Sequence, residues 1–136
     1  MHYMLDTNIC IYIIKQKPAE VIKRLIQTEL SQVGISSVTL SGLFYGAAKS
    51  ARPDQNRTAL VQFVGPLEVA AYDDEAARCY GDVRAGLEKS GRPIGSLGML
   101  IAAHALSLGC VLVTNNEKEF ERIPDLKIEN WAKRKK

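Results

Sequence analysis

Two groups of polar residues follow short apolar runs and could together form one site. Asp6 closes the predicted strand Tyr3–Asp6, and Asn116 follows shortly after the predicted strand Cys110–Thr114. In an open parallel sheet, binding sites form beyond the carboxyl ends of the strands. We therefore expect Asp6 and Asn116 to lie together at one edge of a sheet.

The remaining pattern predicts the elements that would position these residues. Further strands are expected over 33–36, 67–71 and 126–129, the last at an edge of the sheet. Helices are expected over 9–15, 19–28, 38–50, 54–64, 74–90, 96–108 and 117–122, with Asn8, Ser37 and Asp73 as caps. Strands that alternate with helices indicate an α/β domain with a mainly parallel sheet.

Length and composition limit the class of protein. The chain has 136 residues, of which 46% are hydrophobic, and this is typical of one folded domain rather than of a disordered chain. It has no apolar run of the roughly 20 residues that span a bilayer and no signal-peptide pattern, so we expect a cytoplasmic protein without membrane contact. Cys10, Cys79 and Cys110 are far apart and are expected to be buried, reduced thiols. The net charge of +3 is too small to indicate RNA binding by itself.

Four segments, in this order, resemble the PIN-domain toxins of the VapC type. They are Met4 to Asn8, Ser36 to Gly46, Pro93 to Leu106 and Leu112 to Phe120. The ending Glu129-Asn130-Trp131 is similar as well, so the resemblance covers almost the whole chain. It implies a PIN-like three-layer fold, with residues 1–132 as the PIN domain and 133–136 as a basic tail.

The resemblance also implies an activity and its partners. Members of this family are endoribonucleases that depend on Mg²⁺ or Mn²⁺, act as the toxin of a toxin–antitoxin pair and are associated with tRNA cleavage. We therefore expect a VapB-like antitoxin, a homodimer and contact with operator DNA only through the antitoxin. A cluster of carboxylates is the chemical requirement, because Mg²⁺ prefers hard oxygen ligands and activates water beside the phosphate.

Two of the acids in the family pattern are missing. Gly42 and Gly98 stand where the pattern places carboxylates, whereas Asp6 matches the first acid and is expected to bind the metal. The resemblance implies catalytic support from Asn116 and Glu119. Substrate positioning is expected from Thr7, Asn8 and Thr114.

Each glycine interrupts a predicted helix, where glycine costs about 1 kcal/mol relative to alanine. One explanation is packing, since glycine permits close approach of a neighbouring element. The explanation that we favour is inactivation. Removing one of two carboxylates about 5 Å apart relieves a repulsion of roughly 3 kcal/mol at an effective dielectric constant near 20 when no metal is bound.

Structural roles compete with functional ones at several positions. Asp6, Thr7 and Asn8 could serve as helix caps, and Asn115 and Asn116 as turn residues. The position of His104 favours a structural role. Aromatic residues are more often core than base-stacking, and this expectation covers Phe44, Tyr45, Phe63, Tyr80 and Trp131. The apolar positions of the first helix form either ordinary core or a groove for a partner helix.

Two functions follow for the chain. The first is a metal-dependent ribonuclease toxin that cleaves RNA, and the resemblance implies tRNA as the RNA class. The second is a module on the same fold that binds antitoxin and RNA without cleaving. Gly42 and Gly98 are the residues that distinguish the two functions. They favour a chain that descends from a ribonuclease but is itself catalytically impaired.

Overall fold

A parallel five-stranded sheet with the strand order β3-β2-β1-β4-β5 forms the centre of the computed structural model, which describes residues 1–133. Helices cover the sheet, and this confirms the predicted α/β architecture. The strands are β1 (Tyr3–Leu5), β2 (Val33–Ser36), β3 (Glu68–Ala70), β4 (Val111–Val113) and β5 (Ile128–Glu129).

The helices begin and end close to the predicted positions. They are α1 (Thr7–Lys15), α2 (Ala19–Ile26), α3 (Ser37–Ala48), α4 (Pro53–Val64), α5 (Asp74–Lys89), α6 (Ser96–Leu108) and α7 (Glu117–Phe120). A 3₁₀ turn, Leu30–Gln32, precedes β2.

Two predicted helix caps are wrong by one or two residues. Asp6, not Asn8, caps α1, and Ser36, not Ser37, caps α3. The reason is the same in both cases. Each strand passes directly into its helix, so the residue after β1 and the last residue of β2 are in place to accept the first free backbone N–H groups. Asp73 caps α5 as predicted.

Alternation along the strands divides the core into two layers. Met4 and Leu112 belong to one apolar cluster, which includes residues of α5 and α6. Leu5 and Val113 belong to the other, which includes residues of α1 and α3. Successive residues of a strand point to opposite faces, so one sheet supports both clusters.

Some expectations need correction or lie outside the described residues. The segment expected as an apolar third strand is an edge strand in which Glu68 and Val69 are exposed. Cys10 and Cys110 are buried thiols, but Cys79 is only half-buried. No helix within residues 1–133 is long and apolar enough to cross a membrane. In the predicted tail, Lys133 pairs with Glu117 at 3.1 Å, and positions 134–136 lie outside the described residues.

Candidate functional site

Asp6 is held at the carboxyl edge of the sheet by the junction between β1 and α1. Its backbone N–H donates to Val113 O at 3.0 Å, and its Oδ1 accepts from the backbone N–H of Ile9 at 2.9 Å. The side chain is almost fully buried. Burial raises the pKa of Asp6 above its usual value, although hydrogen bonds with Thr114 and with the backbone of Ile9 and Asn8 oppose the shift. The Asp6 carboxylate therefore caps α1 in addition to any chemical role.

The segment after β4 forms the second wall of the site. The Thr114 side chain is fully buried, and its Oγ1 accepts from the backbone N–H of Asn116 at 2.9 Å. The Asn116 side chain donates to Glu119 Oε2, and Glu119 Oε1 accepts from the backbone N–H of Gly95 at 3.4 Å. The Glu119 carboxylate is thus already engaged by two donors, and it ties α7 to the start of α6.

Gly42 and Gly98 face the same pocket as Asp6, Asn116 and Glu119. The pocket has a volume of about 330 Å³ and lies between α3, α6, α7 and the ends of β1 and β4. Thr7 and Asn8 also line it. The structure therefore brings together every predicted site residue except Thr114, which does not line the pocket but forms a hydrogen bond with Asp6.

Both glycine positions have room for a Cβ atom. A Cβ atom at Gly42 would have Thr7 Cγ2 as its nearest neighbour, at 3.9 Å. A Cβ atom at Gly98 would lie 3.4 Å from Phe120 Cζ, which is ordinary van der Waals contact. By contrast, a Cβ atom at Gly34 would lie 2.6 Å from Glu68 O, a true close approach. Packing therefore does not require glycine at position 42 or 98.

His104 has a structural role, on the side of α6 away from the pocket. Its Nδ1 lies 2.8 Å from Ser36 Oγ, and its ring packs edge-on against Tyr72 with 5.5 Å between centroids. Burial lowers the pKa of His104, against the opposing effects of the Asp73 charge and a hydrogen bond with the Ala71 backbone. His104 joins α6 to the cap of α3 and does not reach the pocket.

Sequence reasoning missed two residues at the rim of the pocket. Tyr45 and Leu97 line it and are 66% and 61% exposed, so the expectation that Tyr45 belongs to the core is wrong. Helical spacing contains the signal for Tyr45, since Val38, Gly42 and Tyr45 lie four and three residues apart and share one face. Leu97 directly precedes Gly98 in the first turn of α6.

Comparison with known proteins identifies the fold family. A sequence model described as the PIN domain matches residues 3–126. The chain belongs to the PIN-domain family. The match covers β1 to α7 and therefore contains the whole pocket of this PIN domain.

The chain is similar over nearly its full length to several known proteins and solved structures. The chain is 46% identical to a tRNA(fMet)-specific endonuclease VapC of Shigella flexneri, over 97% of this chain and 99% of that protein. The structure of DNA-bound VapBC from Salmonella typhimurium superimposes with a TM-score of 0.91 at 46% identity, covering 96% of this chain and 98% of that one. VapBC2 from Rickettsia felis, bound to a DNA fragment from its promoter, gives a TM-score of 0.89 at 42% identity, covering 96% and 99%.

The pocket of this PIN domain does not fit a divalent metal ion, although nucleases of the family generally depend on one. Among residues 1–133, Asp6 and Glu119 are the only carboxylates that line the pocket, and Glu119 is engaged by Asn116 and Gly95. Within residues 1–133, no group of three or more His, Cys, Asp or Glu side chains is placed to hold a metal. The pocket therefore offers Asp6, which caps α1, and Glu119, which accepts two hydrogen bonds, and it lacks the two further acids that the family pattern would add for Mg²⁺.

Proposed function

We propose that this chain is a catalytically impaired relative of the VapC toxins, which keeps the ribonuclease fold and binds RNA and an antitoxin but cleaves little or no RNA. The observation that carries the proposal is that Gly42 and Gly98 face one pocket with Asp6 and that each has room for an added Cβ atom. The similar endonuclease from Shigella flexneri supports tRNA as the RNA class.

The loss of the acids explains the impairment. In an active relative we expect carboxylates at positions 6, 42 and 98 to hold Mg²⁺ or Mn²⁺ together. Here Asp6 remains alone among these positions, buried and acting as a cap. One carboxylate holds a hydrated Mg²⁺ weakly. The predicted roles of Asp6 as metal ligand, Asn116 and Glu119 as supports, and Thr7, Asn8 and Thr114 as positioning residues stay predictions for this chain.

An apolar groove beside the pocket supports the proposal of an antitoxin partner. It has a volume of about 380 Å³ and is lined mainly by Ile11, Ile14, Leu43, Ala47 and Leu60. Gly42 lines both the groove and the pocket, so a segment in the groove would reach the site. We propose that a VapB-like antitoxin occupies it, that the chain forms a homodimer, and that operator DNA is contacted only through the antitoxin. The VapBC complexes among the similar structures support this.

The domain limits and the cellular location complete the proposal. Residues 1–132 form the PIN domain, and 133–136 form a basic tail. The three free thiols are consistent with the reducing cytoplasm, which stays the proposed location.

Cleavage of purified total tRNA with Mg²⁺ or Mn²⁺ tests the proposal. The chain is compared with the double variant Gly42→Glu and Gly98→Asp, each with and without EDTA. A matched control, Gly81→Glu with Gly86→Asp, adds the same two acids on α5, where no atom lies within 4 Å of either added Cβ. We expect cleavage only from the restored pocket, and only with metal.

Calorimetric titration with Mn²⁺ provides a readout independent of activity. The restored variant should bind the ion more tightly than either the parent chain or the α5 control. If the parent chain cleaves tRNA as fast as the restored variant, the impairment is refuted. If the restored variant neither binds Mn²⁺ nor cuts, the assignment of positions 42 and 98 is wrong.

A further inference from the structure

Tyr45 places an aromatic ring at the rim of the pocket. It lies one helical turn after Gly42 on α3, and its side chain is 66% exposed. A tyrosine ring with that exposure leaves apolar surface in water, although the same ring lines the wall of a pocket. A planar partner could cover this surface without any rearrangement of the core.

Leu97 faces the same pocket from another helix. It belongs to the first turn of α6 and is 61% exposed. Tyr45 and Leu97 thus present an aromatic and an aliphatic surface on two helices that both line the pocket containing Asp6. Unpaired bases stack on aromatic side chains in this way in proteins that bind single-stranded RNA.

Lys49 supplies positive charge over one face of the Tyr45 ring, which leaves the other face for a stacked base. Its Nζ lies 4.9 Å from the Tyr45 ring centroid, one helical turn further along α3. Among the residues that the structure describes, Lys49 forms no salt bridge, and its recorded contact is with the Tyr45 ring, so no carboxylate competes with a phosphate for its charge. An aromatic ring with an adjacent cation matches the alternation of base and phosphate along an RNA strand.

We infer that Tyr45 and Leu97 form a platform that stacks an unpaired RNA base beside the Asp6 pocket, with Lys49 contacting the adjacent phosphate. The inference rests on the proposed function, because it takes RNA as the ligand of this pocket. An RNA strand is favoured over a protein partner because the platform is continuous with the pocket and has a cation at its edge. Neither the glycines nor the carboxylates are needed for this contact, so the impaired chain retains it.

Binding of a fluorescein-labelled tRNA mixture, measured by anisotropy in EDTA, tests the platform. Tyr45→Ala should weaken binding about tenfold or more, in the range for loss of one base–aromatic stack, while Tyr45→Phe stays within about twofold. Leu97→Ala should also weaken binding. Leu108→Ala is the matched control because Leu108 is 45% exposed at the opposite end of α6, and it should bind as the parent does.

The salt dependence of tRNA binding distinguishes the contribution of the Lys49 charge from that of the Tyr45 ring. Lys49→Ala should reduce the slope of log K against log salt by about one phosphate contact, whereas Tyr45→Ala should leave the slope unchanged. Light scattering and circular dichroism of each variant establish its oligomeric state and folding. A Tyr45→Ala variant that dissociates a dimer would show that the ring belongs to a protein interface and would overturn the platform.

Two further results distinguish failure of the platform from failure of the proposed function. If the parent binds tRNA and Tyr45→Ala binds equally well, the platform is refuted and the proposed function stands. If neither the parent nor the Gly42→Glu, Gly98→Asp variant binds tRNA, RNA binding by this fold is refuted, and the platform with it.

Discussion

Gly42 lies inside a helix at a position where a larger side chain has room. It is the sixth residue of α3, and its added Cβ atom would meet nothing closer than 3.9 Å. Glycine here lowers helix stability without permitting a close contact. The residue is therefore better explained by the chemistry of the pocket than by the packing of the helix.

Replacing Gly42 by alanine separates these explanations. We expect Gly42→Ala to increase the free energy of unfolding by about 1 kcal/mol, since alanine restores helix propensity without a clash. Gly46→Ala is the matched control, because Gly46 lies in the same helix with open space around its added Cβ, and it should give a similar gain. Urea denaturation measures the free energy of unfolding of both variants. A loss of stability for Gly42→Ala alone would restore the packing explanation.

At the scale of elements, a buried hydrogen-bond chain joins the two helices that carry the glycines. Ser36 Oγ accepts from the backbone N–H of Val38 at 3.0 Å and lies 2.8 Å from His104 Nδ1. The neutral ring accepts the Ser36 hydroxyl proton at Nδ1, and a protonated Nδ1–H would donate to Ser36 Oγ instead. This contact positions the start of α3 against the middle of α6, and burial favours the neutral ring there.

The burial of His104 predicts a pH dependence of stability. Because burial lowers the pKa of folded His104, the unfolded chain takes up the proton first as the pH falls. The contribution of neutral His104 to the free energy of unfolding is complete above the pKa of histidine in the unfolded chain, near 6.5. It is lost as the pH falls below that pKa, with a slope of at most about 1.4 kcal/mol per pH unit for one proton.

Urea denaturation between pH 8 and pH 5 checks this effect on three chains. His104→Gln should flatten the dependence between about pH 6.5 and pH 5. His2→Gln is the control, since His2 is exposed and is the only other histidine of the chain. An unchanged pH profile in His104→Gln would contradict the role of the neutral ring.

At the scale of the whole molecule, Trp131 ties the end of the described chain to the sheet. Its side chain is fully buried, and its Nε1–H donates to Glu129 Oε1 at 3.1 Å. The same carboxylate accepts from Arg24 at 2.8 Å, and the Arg24 guanidinium lies 5.5 Å from the indole centroid. The Tyr3 ring packs edge-on with 5.4 Å between centroids. Trp131 therefore connects α2, β1 and β5.

Truncation of this side chain should destabilise the whole domain. We expect Trp131→Ala to lower the free energy of unfolding by about 3–5 kcal/mol, the usual cost for a large buried aromatic residue. Lys133→Ala removes only the exposed lysine of the Lys133–Glu117 ion pair. It should lower the free energy of unfolding by less than about 1 kcal/mol. Circular dichroism during urea denaturation follows both variants. Equal effects would show that residue 131 lies outside the cooperative core.

The sequence by itself determined the α/β fold, because apolar runs, caps and glycine stops recur with the spacing of strands and helices. The strand Val33–Ser36 and the helix Ser96–Leu108 were predicted with the bounds that the structure has. The common edge of Asp6 and Asn116 also followed, since it depends only on parallel strand direction.

Only the tertiary structure decided what the glycines mean and what surrounds them. Helical spacing cannot show that Gly42 and Gly98 face one pocket, nor that a side chain would fit at each, because both depend on how α3 and α6 pack. The same packing leaves Tyr45 in solvent at the rim, although its residue type favours burial. Distances between elements remote in sequence are set by the packed core, and local pattern carries no measure of them.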